Sequence, residues 1–277
     1  MKSPKTFDLS VSRGVATVTL NRPDRLNSLT FAIYRELADT FESMAEVSDI
    51  RSVVITGKGR GFCSGGDQDD IISELFSRDK AGLLDFTRAT GRLIGAICQL
   101  EKPVVAALNG VAVGAGAVIA CACDFRLATE KTRIGFVFPK VGLCGADMGA
   151  AYLLPRIVGL GHANELLYFG DLVEADRALA IGLFNRVVGT VDELMTLASA
   201  WANKLAEGPQ FAHSMTKRML YREHNMELKE ALEAEAVAQA VCMEHPDFRT
   251  AHDAFKNKQT PVFAGSPLLP HTEKGGE

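Results

Sequence analysis

Between Asn109 and Asp124 the chain reads NGVAVGAGAVIACACD, and no residue inside that run carries a charged or strongly polar side chain. A stretch built from glycine, alanine, cysteine and a few β-branched residues packs only where backbones approach closely. From about Val113 it reads as a helix pressed tightly against its neighbours, and its opening, Gly114-Ala115-Gly116, follows a short apolar strand at Pro103–Leu108 that Asn109-Gly110 ends. A second glycine-rich segment, GKGRGFCSGGD at 57–67, follows another buried strand at Ser52–Thr56. Small residues at both places let the backbone come close to a ligand and leave N–H groups free to point at it.

Around these loops the pattern repeats. Residues 7–20, FDLSVSRGVATVTL, alternate about Arg13-Gly14 and predict a hairpin. Helices are expected from Thr30 to Val47 and from Leu83 to Leu100, and further strands near 124–129 and 133–138. Strand, strand, helix recurring at similar spacing predicts an α/β fold of coiled ββα units rather than a doubly wound sheet. From about Val191 strand signals vanish and Ala, Glu, Met and Leu dominate through Phe255. The expected organisation is a ββα core over 1–195, a helical region over 196–260, and a tail over 261–277 without fixed structure.

The 277 residues carry a net charge of -4, so no basic field marks a nucleic-acid or anionic-lipid binder. No run approaches the length of a membrane span and MKSPKTFDLS lacks a signal-peptide core, which leads to an expected cytoplasmic location. Six cysteines lie scattered in apolar stretches; Cys121 and Cys123 form a C-x-C pair without a second pair or a nearby histidine, so no metal site is expected.

Taken from spacing alone, Gly65-Gly66 and Gly114-Ala115-Gly116 have two readings. They serve tight turns and close helix packing, or they present two amides to an oxyanion, one of them at a helix N-terminus. Neither segment fits G-x-G-x-x-G after a first strand, nor a P-loop. Ser64 fits no G-x-S-x-G elbow and has no histidine in a matched position.

The segments LNRPDRLNSL (20–29), GFCSGGDQ (61–68), KPVVAALNGVAVGAGA (102–117), CDFRLAT (123–129), LLPRIVG (153–159) and ALAIGLFNRVV (178–188) stand in the order and spacing of the crotonase (enoyl-CoA hydratase/isomerase) family. The resemblance covers roughly residues 8–260. It implies a crotonase-type coiled ββα superhelix with a C-terminal helical region, coenzyme A thioester substrates with no separate cofactor, and assembly as a homotrimer or a dimer of trimers. It places the family's oxyanion amides on Gly66 and Ala115. Arg25 and the loop Ser64, Gly65, Asp67 and Gln68 match positions that meet coenzyme A, and Phe255 and Lys256 lie where a C-terminal helix touches its nucleotide end.

Hydratases of the family are similar to one another in carrying two glutamates that position water and move its proton. Here those positions are Val118 and Lys140, so the carboxylate pair of ordinary hydration is missing. Lys140 is read as solvent-exposed or as a pocket cation. The remaining carboxylate in the segment is Asp147, in VGLCGADMGAAYLLPRIVG, which resembles the dienoyl-CoA isomerases and, more distantly, 4-chlorobenzoyl-CoA dehalogenase. Partner carboxylates of the isomerase fall on Val118 and about Phe138, and the dehalogenase's histidine falls on glycine, so neither set is complete. SGGDQ (64–68), PKVG (139–142) and Gly149–Tyr152 resemble dihydroxynaphthoyl-CoA synthase and 2-ketocyclohexanecarboxyl-CoA hydrolase, which make or break a carbon–carbon bond. Three readings follow: an enolate-stabilising acyl-CoA enzyme with Asp147 as acid/base, ring-forming or ring-opening chemistry, and a homologue that binds the thioester without turning it over. Asp147 is also in place to N-cap the helix starting near Gly149, and Tyr152 reads either as a proton donor or as a core aromatic.

Overall fold

The computed structural model describes residues 3–263; the part of the expected tail beyond 263 lies outside the described residues. Alternation in the first segment gives the hairpin: β1 (Phe7–Ser12) pairs antiparallel with β2 (Val15–Leu20). Arg13 and Gly14 turn the chain with φ of 49° and 81°, the doubly left-handed geometry that matches strand twist in a two-residue loop. Strands β3 (Ser52–Gly57), β5 (Val104–Leu108), β7 (Phe125–Thr129) and β10 (Arg186–Val188) then add in parallel, giving a six-stranded sheet in the order β1-β2-β3-β5-β7-β10.

A second sheet in the order β4-β6-β8-β9 is built from β4 (Gly61–Cys63), β6 (Val111–Val113), β8 (Arg133–Gly135) and β9 (Val173–Glu174). Each turn of the coil therefore contributes one strand to each sheet and then a helix. β3 and β4 lead to α2 (Ser73–Leu75) and α3 (Lys80–Gln99), β5 and β6 to α4 (Ala115–Ala122), and β7 and β8 to α5 (Ala150–Phe169). This is the expected crotonase-type ββα superhelix. The strand expected to run to 138 stops at Gly135, because a short 3-10 turn at Phe138–Val141 with Pro139 in its first turn takes over.

Side chains of the central strands divide by parity, as strand geometry demands. Val53, Ile55, Val104, Ala106 and Leu108 join the main core with Leu37, Phe41 and Met44 of α1 (Phe31–Met44). Val54, Val105, Ala107 and Leu127 face the opposite way and pack on Leu194, Ala198, Ala202 and Ala206 of α7 (Val191–Glu207). Both faces are thus covered, the condition under which parallel strands read as continuous apolar runs such as VVAAL. α7 opens the half of the chain without strands, yet it forms an outer layer of the sheet and spans the 195/196 boundary drawn from composition.

Beyond α6 (Ala175–Ala180) and α7, the chain ends in α8 (Gln210–Arg222), α9 (Leu228–Glu244) and α10 (Pro246–Lys256). α8 is tied to the core by Lys217, which is buried, pairs with Asp124 at 2.9 Å and donates to the carbonyls of Ile97 and Lys102. Arg126 of CDFRLAT is equally internal. Its guanidinium donates to the carbonyls of Cys123, Ala120 and Leu183, closing the C-terminal end of α4 with a cation where the helix leaves unpaired carbonyls.

Candidate active site

The two glycine-rich loops meet. At Gly116, in the first turn of α4, an added Cβ would stand 2.3 Å from the carbonyl oxygen of Cys63, closer than any side chain allows. Gly65 has φ of 97°, and a Cβ there would stand 3.1 Å from the Val113 carbonyl oxygen and 3.7 Å from the Ala115 nitrogen. Glycine at these two places is what lets β4 and the start of α4 touch backbone to backbone.

Hydrogen bonds around the loop are nearly all committed. Ser64 N–H donates to the Leu26 carbonyl, Asp67 N–H to the Leu29 carbonyl, and Leu29 N–H to the Gly65 carbonyl, which forms a parallel bridge between Leu29 and Gly66. Gly65 N–H is taken by the Cys63 sulfur. Gly114 N–H donates to the Gly135 carbonyl. The amides of Gly66 and Ala115 find no acceptor among the described residues, and neither do those of Gly116 and Ala117 in the same first turn of α4. Ala115 begins α4, so its N–H is one that the helix itself leaves unpaired and carries part of the positive end of the helix dipole.

The loop is held from beneath by Asp67. Its carboxylate accepts from the amides of Asp69 and Asp70 at 3.1 Å each, from Ser28 Oγ at 2.8 Å, and pairs with Arg22 at 2.9 Å. With a side chain only 5% exposed, these donors outweigh the cost of burial and lower the carboxyl pKa to about 2. Asp67 therefore anchors the loop and caps the turn Gln68–Ile72 rather than facing outward. Asn27 and Asn109 secure the other side: Asn27 donates to the carbonyls of Lys58 and Gly61, and Asn109 to those of Gly59 and Gly61 while accepting from Gly57 N–H.

The remaining expected positions fall into four groups. Arg25 and Gln68 are exposed at the loop mouth, Arg25 pairing with Asp69 at 3.1 Å and accepting the Ser64 hydroxyl on its carbonyl. Val118 lies on α4 one turn beyond Ala115, completely buried. Lys140 is turned to solvent and pairs with Asp171, and Tyr152 is 42% exposed beneath the Arg156 guanidinium, 3.5 Å from the ring centre, so it is no core aromatic. Phe255 and Lys256 stand exposed on α10, which packs on α9.

Asp147 does not cap α5. Met148 and Gly149 both take left-handed φ, of 50° and 90°, so Gly149 occupies the cap position without a side-chain bond, and the Asp147 carboxylate accepts only from Met148 N–H at 2.9 Å. Burial raises its carboxyl pKa, and that one amide bond opposes the shift. A half-buried carboxylate with one partner and a raised pKa has the properties of a proton carrier. Sequence reading passed over Arg22, Asn27 and Asn109, which hold the loop, and Tyr34, a buried phenol on α1 close enough to Cys63 and Asp147 to sense their charge. Among the described residues no group of His, Cys, Asp and Glu is arranged to hold a metal ion, and no helix is long and apolar enough to cross a membrane.

The parallel-stranded ββα coil defines a fold class that comparison with known proteins identifies. Residues 10–266 match the Enoyl-CoA hydratase/isomerase family model, and the chain belongs to that family. It is 33% identical over 255 residues to 1,2-epoxyphenylacetyl-CoA isomerase of Escherichia coli K12, covering 92% of this chain and 97% of that one. It is 34% identical over 247 residues to the short-chain-enoyl-CoA hydratase of Clostridium acetobutylicum, covering 88% and 92%. Among solved structures, a Streptomyces coelicolor A3(2) protein provisionally assigned as an enoyl-CoA hydratase superposes with a TM-score of 0.93 at 47% identity over 96% of each chain. The enoyl-CoA hydratase of Bacillus anthracis gives 0.89 at 29% identity, over 95% of this chain and all of the other.

Asp67 supplies a pH signature. Its folded pKa lies below the unfolded value near 4, so its stabilisation is complete above pH 4 to 5 and disappears as pH falls toward 2. The shift corresponds to about 2 kcal/mol. Urea unfolding of wild type and Asp67→Asn should differ by at least about 2 kcal/mol at pH 7 and converge near pH 2. A difference that does not change with pH would mean that the Asp67 charge does not hold the loop.

Proposed function

We propose that this enzyme binds an acyl-CoA thioester with its carbonyl oxygen between the Gly66 and Ala115 amides and moves a proton on the acyl group with Asp147. The observations that carry the reading are the amides of Gly66 and Ala115 without acceptors on adjoining loops, and a half-buried carboxylate at Asp147 with a raised pKa. Asp147 takes a proton from a carbon conjugated with the thioester. The electron pair left behind moves onto the carbonyl oxygen, and the resulting enolate accepts both amide hydrogen bonds. Such donors contribute about 3 kcal/mol each to transition-state stabilisation when preorganised. The protonated Asp147 then returns the proton to a different carbon, and charge and atoms balance.

One carboxylate that both takes and returns a proton suits isomerisation. Hydration by the family's two-glutamate route would need carboxylates at Val118 and Lys140, where the first is a buried aliphatic group and the second is a surface cation paired with Asp171. Coenzyme A enters as part of the substrate, with Arg25, Ser64, Gly65 and Gln68 at the mouth of the loop as its contacts. The acyl end is assigned to an aromatic wall in which Phe31, Tyr34 and Phe86 meet edge to face at 5.4 and 6.2 Å. That wall, and the E. coli relative named for an aromatic acyl-CoA, favour a cyclic or aromatic acyl group. Ring-forming or ring-opening chemistry is the second reading, favoured by the same wall, since it uses the same enolate.

Asp147→Asn should lower kcat by about a hundredfold or more and leave the affinity for acyl-CoA within about threefold. In wild type, kcat/KM should fall on the acid side with a midpoint above the ordinary carboxylate range, because the raised pKa keeps Asp147 protonated there, and the variant should lose that limb. Unchanged turnover in the variant would remove Asp147 from the mechanism; binding of an acyl-CoA panel with no turnover by wild type would support the reading as a non-catalytic binder.

The helical region is proposed to join copies of the chain. Leu220, Leu228, Leu232, Val237, Met243 and Phe248 on α8 to α10 are each more than half exposed, a larger apolar display than a monomer carries without a use. Light scattering should give three or six times 29.8 kDa; a single-chain mass would contradict the assignment.

A further inference from the structure

Tyr34 has a hydroxyl that packing does not need. It lies in the second turn of α1, close in sequence to Leu29, whose bridge to Gly66 fixes the start of that helix against the donor loop. Only 3% of the residue is exposed, and its ring meets the edge of Phe86 on α3 at 6.2 Å. Further along α3, Ile94 approaches Gly149, two residues from Asp147, so the packed pair α1 and α3 spans the distance between the two halves of the site.

The phenolic oxygen has no hydrogen-bond partner among the described residues, and it is not among the atoms sealed from solvent. It therefore keeps some accessible surface. Burial, with smaller contributions from the Cys63 thiol and the Asp147 carboxyl, keeps its proton on well above pH 10. Cys63 is itself the residue wedged between the two donor loops, with its carbonyl against Gly116. A phenylalanine would fill the same volume without leaving a polar atom unpaired. The oxygen is thus a permanent donor without a partner, on the helix that Leu29 ties to the donor loop.

Each other polar group of the proposed acyl site is spoken for. The amides of Gly66 and Ala115 belong to the thioester carbonyl, Ser64 donates to the Arg25 carbonyl, and an ionised Asp147 accepts but cannot donate. We propose that the Tyr34 hydroxyl is a specificity-determining donor of the acyl site: it hydrogen-bonds an oxygen carried by the acyl group near the thioester. The enzyme then prefers oxygenated acyl-CoA thioesters to their hydrocarbon counterparts. The inference rests on the placement of the acyl group proposed above.

The test is calorimetric binding of butanoyl-CoA, 2-hydroxybutanoyl-CoA and 3-hydroxybutanoyl-CoA to the full-length protein and to Tyr34→Phe, with thermal unfolding of both. Wild type should bind at least one hydroxylated thioester about tenfold more tightly than butanoyl-CoA. Tyr34→Phe should erase that preference while its affinity for butanoyl-CoA stays within about twofold and its unfolding midpoint stays unchanged. An absent preference in wild type overturns the proposal, as does one that survives in Tyr34→Phe or is lost together with butanoyl-CoA affinity. Because binding is read without turnover, the result is separable from the role of Asp147: a lost preference in Tyr34→Phe with full turnover in Asp147→Asn keeps this inference and removes the catalytic one.

Discussion

The contact on which the site depends is made by backbone alone. The Cys63 carbonyl occupies the place where any side chain at position 116 would begin, and the Val113 carbonyl crowds the corresponding place at Gly65. Everything else near the loops serves that approach. Arg22 pairs with Asp67 beneath it and Ser28 donates to the same carboxylate, and Asn27 and Asn109 tie down the carbonyls of Lys58, Gly59 and Gly61. The consequence is that the amides of Gly66 and Ala115 lie on adjoining loops with no acceptor among the described residues. In a folded protein unpaired amides are uncommon, because nearly every buried N–H finds an acceptor. Here the coil of ββα units holds them in that condition, one at the start of α4 and one beside a strand bridge.

Much of this was legible before any coordinates. Hairpin, central strands and the glycine-rich helix follow from alternation, apolar runs and small residues, and the sequence motifs matched the family that comparison gives. The second sheet was not legible: of its strands only β8 was expected, because β4, β6 and β9 are two or three residues long, too short to show alternation. What pattern could not supply is the use made of polar side chains. Asp147 looked like an N-cap because aspartate before a helix usually is one, but Met148 and Gly149 in left-handed conformations swing the helix start away from it. Left-handed φ at methionine is uncommon, and nothing in the residue type announces it.

Tyr34 was missed for a different reason. An aromatic residue on the buried face of an amphipathic helix is indistinguishable from core filling, and its ring does fill the core. Only the position of one oxygen sets it apart. α7 illustrates the converse: its alanines at every fourth position read as a plain helical region, whereas each one seats a residue of the large sheet's second face. Composition located the helix, and only the parity of β3, β5 and β7 shows why that helix is required to cover them.

The central claim is that the free amides of Gly66 and Ala115 receive the thioester oxygen. A crystal structure of the enzyme with a bound acyl-CoA tests it most directly. The carbonyl oxygen should lie about 2.7 to 3.1 Å from both nitrogens, with the acyl carbons directed toward Asp147. A thioester bound with its oxygen turned to solvent, or held by other donors while those two amides stay unpaired, would contradict the account.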